Sequence, residues 1–168
     1  MKKITVLAAT AVAFTLLASN SAFAATANAT ATITSAIAIA NGSDLMFGLI
    51  IPAAGVTTAI IDPTGTGYTS RTGTATFLNG AGGAGPSSFA VTGSDALTYA
   101  ITLPADAVVT LTGPGAAMAV NTFTSSPSGT GTLTAGAQTL KVGATLSVGA
   151  SQVTGAYTGS YTVTVAYN

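Results

Sequence analysis

Beyond the first 24 residues, any acid–base or nucleophilic chemistry must come from Asp44, Asp62, Asp95 and Asp106, from Arg71 and Lys141, or from the many Ser and Thr hydroxyls. There is no His, Cys, Glu or Trp to work with. General acid–base catalysis needs a group titrating near neutral pH or a tuned carboxylate pair. Each Asp instead lies in a turn-like context, "NGSDL", "IDPTG", "TGSDAL" or "PADA", where a short carboxylate accepts nearby backbone N–H groups. An activated hydroxyl needs an adjacent base. Lys141 could form a Ser–Lys pair, but it falls on the outward parity of an alternating run. Zinc lacks Cys and His ligands. The Gly–Thr stretches lack the G-K-[ST] ending of a phosphate loop. No D-x-D-x-D run marks a calcium loop, which leaves open only a weak site built from two Asp and loop carbonyls. The expectation is a non-catalytic protein with no cofactor and no metal.

The N-terminus reads as an export signal. Lys2 and Lys3 precede an apolar run, Ile4 to Leu17, too short for a comfortable membrane span. "SAFA" then supplies a small-residue cleavage site at Ala22-x-Ala24, so residues 1–24 are expected to be removed and residues 25–168 to form one domain. No Cys stands at the junction for a lipid anchor, and no later run suits a transmembrane helix. Beyond residue 24 two cations face four carboxylates, a formal charge of −2. Two separated cations cannot track phosphates, so nucleic acid and anionic membranes are poor partners. So little charge also gives little repulsion between copies, which suits a protein that sits in an assembly.

Short alternating runs recur between turn signals. Leu97, Tyr99, Ile101 and Leu103 share one face of "LTYAITL", and Leu140, Val142, Ala144, Leu146 and Val148 share another. Shorter candidates cover 56–62, 72–78, 89–92, 108–111 and 118–123. Period-two patterning of β-branched residues predicts half-buried strands. "DPTGTG", "NGAGGAGPSS", "LPAD", "TGPG" and "SSPSGTG" separate them as turns and loops. About eight to ten short strands predict an all-β antiparallel sandwich in preference to a barrel. Phe47, Phe77, Phe89, Tyr99 and Phe123 fall on apolar parities or strand ends and read as core. Tyr68, in a Gly-rich turn, is the one aromatic expected on the surface.

The two ends beyond the signal are the most regular segments. From Gly155 the odd positions read Gly155, Tyr157, Gly159, Tyr161, Val163, Val165 and Tyr167, with small or hydroxylated residues between. In "ATANATATITSAIAIA" the odd positions run from Ala25 through Ala27, Ala29 and Ala31 to Ile33, Ser35, Ile37 and Ile39. A barely charged strand of this kind carries unpaired backbone groups that template pairing. Productive strand addition uses the same property, with main-chain bonds for affinity and alternate side chains in pockets.

The ending resembles the C-terminal strand of chaperone–usher pilins: Tyr167 is penultimate, Val165, Val163 and Tyr161 alternate before it, and Gly155 stands fourteenth from the end. "DLMFG" (44–48), "VGATLSVGA" (142–150) and "YTGSYTVTVAYN" (157–168) resemble a domain-of-unknown-function family of small exported bacterial β-proteins. "LMFG" is also similar to an element of spore-coat-U-like pilins. The pilin resemblance implies an immunoglobulin-like sandwich completed by strand exchange. It further implies a periplasmic chaperone that pairs with the C-terminal strand, and copies of this chain or a related subunit as later partners. Carried onto this sequence, Gly155, Tyr161, Val163, Val165 and Tyr167 would meet the chaperone, and Ile33, Ile37 and Ile39 would be donor side chains. Residues 25–40 are then either a donor extension or an ordinary first strand.

Three function classes follow. The first is a structural surface protein, pilin-like or a fibre or coat subunit, exported to the periplasm and then the cell surface. The second is a monomeric adhesin or glycan- or matrix-binding module acting through loops 62–71, 79–88 and 125–131. The third is a small outer-membrane barrel, for which the strands are short against the ~9–11 residues of a spanning strand and the terminal residue is Asn.

Overall fold

The computed structural model describes residues 23–78 and 83–168. Chain contacts divide the molecule into Met1–Thr32 and Ile33–Asn168. In the first unit the described residues carry no strand and are exposed. The expected signal peptide lies outside the described residues except for Phe23 and Ala24.

The second unit is all-β and antiparallel, with twelve strands among the described residues. They are β1 (Ala38–Ser43), β2 (Leu49–Ile51), β3 (Thr57–Ile61), β4 (Tyr68–Thr72), β5 (Thr76–Leu78) and β6 (Ser87–Thr92), followed by β7 (Thr98–Thr102), β8 (Val109–Leu111), β9 (Met118–Ser126), β10 (Thr130–Thr132), β11 (Ala137–Val148) and β12 (Thr164–Tyr167). A seven-stranded sheet runs β1-β6-β11-β3-β4, with β9 joined to β11 and β8 to β9. A three-stranded sheet runs β10-β7-β12, and β2 pairs with β5 as a separate ribbon.

The long strand β11 organises the larger sheet. Its alternation predicts one buried face, and Leu140, Val142, Ala144, Leu146 and Val148 are all buried, while Lys141 points outward and is exposed. A strand has only two edges, yet β11 meets three partners. Residues 137–142 pair with β6 and 145–148 with β3, so these share one edge, and β9 takes the other through residues 141–146. Gly143 stands where the shared edge changes partner. A Cβ there would lie 2.1 Å from the Ile61 carbonyl oxygen and 2.9 Å from the Pro63 nitrogen, so only glycine lets the two backbones approach this closely. Opposite it, β9 bulges between its pairings to Gly143 and Thr145. Thr122 in that bulge has φ 49°, and its N–H donates to Asp106 Oδ1 at 2.6 Å.

Two apolar clusters fill the interior. Val91, Tyr99, Leu133, Leu140, Val142 and Val163 pack between the seven- and three-stranded sheets, which makes this part a sandwich. Phe47, Ala59, Ile61, Val109, Met118, Val120, Ala144, Leu146 and Val148 form the second cluster on the larger sheet. Phe123 and Tyr161 touch both. The outward residues of β7 are Thr98, Ala100 and Thr102, and those of β11 include Thr139, Lys141 and Ser147. These strands carry none of the outward apolar band that marks a transmembrane barrel.

The observed strands depart from expectation at both ends. Strand structure begins at Ala38, and residues 23–37 stay outside it. Ala38 is the first residue to find a ladder partner, Thr92 at the end of β6. The C-terminal strand is shorter than its alternation predicts. Its register, Thr164 opposite Thr102 through Tyr167 opposite Tyr99, would place Thr162 opposite Pro104, which has no N–H to donate. Strands β2, β4 and β10 have no clear signature in the sequence, because Gly- and Pro-rich flanks disguise them as loops.

Candidate functional site

The four Asp side chains behave as turn and bulge acceptors. Asp62 takes the Thr64 N–H at 2.7 Å and the Thr64 hydroxyl at 2.5 Å, and these bonds hold its carboxyl below the usual range. Asp95 accepts the Ala96 N–H at 2.9 Å, and Asp106 the Thr122 N–H already described. Asp44 accepts from the Asn41 side-chain amide at 2.8 Å. No group of three or more acidic, His or Cys residues that could hold a metal occurs among the described residues.

Tyr68 does not stand on the surface as expected. It lies in β4, half-buried; its hydroxyl donates to the Phe47 carbonyl, and its ring meets Phe77 edge-on at 4.9 Å. The Arg71 guanidinium lies 5.1 Å from the Tyr68 ring and 5.3 Å from the Phe77 ring. The fold absorbs this aromatic as a clasp between β4 and the β2–β5 ribbon. The other aromatics singled out as core are buried or half-buried. Of the loops considered for ligand binding, residues 79–82 lie outside the described residues.

The more telling feature is a groove of about 1260 Å³ above the second apolar cluster. One wall is residues 44–52 with Leu78; the other is the segment 152–161. Leu49, Ile51 and Leu78 share one face of the ribbon, since Leu49 is registered with Leu78. They are 49%, 51% and 41% exposed; Met46 beside them is 49% and Val153 on the opposite wall 53% exposed. Half of the exposed large apolar residues among those described therefore line one concavity, and such concentration marks an interaction surface. Its volume exceeds the ~300–1,000 Å³ of typical small-molecule pockets.

The backbone of the second wall is also underused. Among the described residues, the only ladder contact between Gln152 and Val163 is the Thr158–Thr112 bridge, with N–H···O distances of 2.8 and 2.9 Å. Gly155 sets the entry to this segment: its φ of 146° suits glycine, and a Cβ would lie 2.6 Å from Pro114 Cγ. Tyr161 closes the groove at the sandwich end. Its ring packs against Phe123 at 5.1 Å and Phe89 at 6.4 Å. Ser87 Oγ donates to the Val142 carbonyl at 3.2 Å, so the Tyr161 hydroxyl is the donor in its 2.5 Å bond to Ser87.

The residues singled out from sequence thus separate. Tyr161 and Gly155 line the groove. Val163 is buried between the sheets, and Val165 and Tyr167 pack there from β12, with Val165 registered with Ile101. The Tyr167 hydroxyl accepts the Ser94 N–H at 2.7 Å and donates to the Ser35 carbonyl at 3.0 Å. Ile37 and Ile39 pack against the same inter-sheet cluster, and Ile39 is registered with Val91. In this structure they belong to the body of the domain, as the ordinary-first-strand alternative expects. Ile33 alone remains 97% exposed. The meeting of the two walls has no local signal, although "LMFGLII" (45–51) carries apolar residues on both parities, more than a strand with one buried face requires.

Residues 37–167 match the family described as a domain of unknown function, DUF4402. The chain belongs to this family. No curated protein and no solved structure matches it. The DUF4402 segment begins at Ile37, where side chains first pack against the core, and ends at Tyr167. Residues 25–36 lie outside the DUF4402 segment and carry no strand.

The tyrosines make the domain sensitive to base. Burial raises the Tyr161 hydroxyl above its ordinary value; the Ser87 bond opposes this, and the charge of Asp44 adds to it. Burial also raises Tyr99 and Tyr68. A raised folded-state value favours the neutral form in the fold. Its contribution is therefore complete below about pH 10 and is lost as pH climbs through the raised values. Urea midpoints measured from pH 8 to 11.5 should fall steeply on the basic side. Tyr161→Phe should flatten that fall.

Proposed function

We propose that this protein is a non-catalytic, pilin-like subunit of the bacterial cell surface that assembles by accepting an extended strand. The observation that carries this reading is the groove between residues 44–52 and 152–161, open above apolar core residues. Both terminal strands of the domain, β1 and β12, lie at sheet edges. An incomplete layer above a core, beside backbone with unused pairing capacity, is what strand addition requires. The immunoglobulin-like character implied by the pilin resemblance belongs to the same reading.

Export by the N-terminal signal places the subunit in the periplasm. A chaperone strand there would cover the groove until another subunit's strand replaces it. Sparse charge, and Asp side chains that each accept a local hydrogen bond, support a structural role.

The test uses material sheared from the native cell surface, labelled with an antibody to this chain and viewed by electron microscopy. Labelled fibres are expected. Val153→Arg places a charge on a groove wall at a half-exposed position, so the monomer should keep its stability within about 0.5 kcal/mol yet vanish from the fibres. Diffuse labelling of the wild-type surface, or fibres that incorporate Val153→Arg normally, would overturn the proposal.

A further inference from the structure

We infer that the groove's natural occupant is an extended segment of a different protein, with large apolar side chains at alternate positions, and not the residue 25–36 extension of a second copy. This rests on the strand-docking reading. The groove offers Met46, Leu49, Ile51, Leu78 and Val153 as exposed apolar surface within about 1260 Å³. The extension can present only Ala25, Ala27, Ala29, Ala31 and Ile33 on its apolar parity, with Thr and Asn on the other. Ile37 and Ile39, which would have enlarged that face, are packed within their own domain.

Methyl groups cannot reach both walls at once. The space they leave unfilled forfeits dispersion contacts and keeps the wall residues wet or next to a void. Binding by a second copy's extension would therefore release little apolar surface while still ordering the segment, which lacks strand structure in the free chain. Side chains of Val, Ile, Leu or Phe size at the same spacing fill the concavity. Charge narrows the class further. Asp44 is the only charged residue among those lining the groove, so an acidic strand is disfavoured and a neutral or weakly basic one favoured. Purified alone, the protein is then a monomer that awaits a partner strand.

The test titrates the exported form of the chain with three labelled peptides: its own residues 25–33, a nine-residue strand alternating Val or Ile with Thr and ending in Lys, and the same strand ending in Glu. The Lys-ended strand should bind roughly a hundredfold or more tighter than the native peptide, at roughly tenfold for each Ala→Val replacement. The Glu-ended strand should bind more weakly than the Lys-ended one. Val153→Arg should abolish all binding. In the full chain, the triple variant A27V/A29V/A31V should self-associate in sedimentation while the wild type stays monomeric. If the native peptide binds as tightly as the bulky one and Val153→Arg abolishes both, this inference falls and strand docking stands. If no peptide binds, or binding survives Val153→Arg, both fall together.

Discussion

Replacing Tyr161 by Ala should lower the unfolding free energy by about 3 kcal/mol, the lower end of the range for truncating a large aromatic, because the ring is half-buried. On a domain of this size that is a fall in melting temperature of roughly 10 °C. The residue joins the two apolar clusters and sits against Phe89 and Phe123, so truncation removes contacts on both sides. It also leaves Ser87, which is buried, without its donor. Tyr161→Phe keeps the ring and loses only that hydrogen bond, at a cost of about 1 kcal/mol. Thermal melts of the two variants separate packing from hydrogen bonding. Equal losses in both would show that the hydroxyl, and not the ring, holds the clusters together. The Ala variant should also widen the groove at its sandwich end, where Tyr161 forms part of the wall.

Gly143→Ala should cost about 3 kcal/mol or more, at the upper end of overpacking penalties, although it adds a single methyl. The methyl would fall 2.1 Å from a backbone carbonyl oxygen, and no side-chain rotation can relieve that. Relief requires β11 and β3 to part where β11 changes partner from β6 to β3. The damage should concentrate there. Amide hydrogen exchange should speed up in β3 and the second half of β11, while the β7–β12 ladder stays protected. Thr145→Ala, half-buried on the outward face two residues on, serves as the control and should change stability by no more than about 0.5 kcal/mol.

The legible parts of the chain were those where one face meets the core along a whole strand. In β11 the five apolar positions from Leu140 to Val148 are buried and the intervening Lys141 is exposed, because period-two alternation maps directly onto the two faces of a pleated strand. The same holds for β7 around Tyr99. In β3 the inward set is Thr57, Ala59 and Ile61, while Val56 is left 65% exposed, so residue size misreports which side faces in. Short strands such as β2, β4 and β10 exist because a neighbour supplies the ladder, and their own Gly- and Pro-rich flanks argue for loops. Alternation in the last fourteen residues is real, yet only Thr164–Tyr167 becomes a strand.

By itself, the sequence determined the all-β antiparallel class, the single inward face of its longest strands and the turn role of its carboxylates. These follow from local periodicity and side-chain type, which act over a few residues. Tertiary structure decided which regular segments are used. It divided the N-terminal alternation at about Ile37, drawing Ile37 and Ile39 into the core beside β6 and leaving Ile33 exposed. It also turned the apolar run at residues 45–51 into the wall of a groove. Whether an alternating segment becomes a covered strand or an open edge depends on a partner edge being within reach. That partner is set by contacts far apart in the chain, where no local pattern records it.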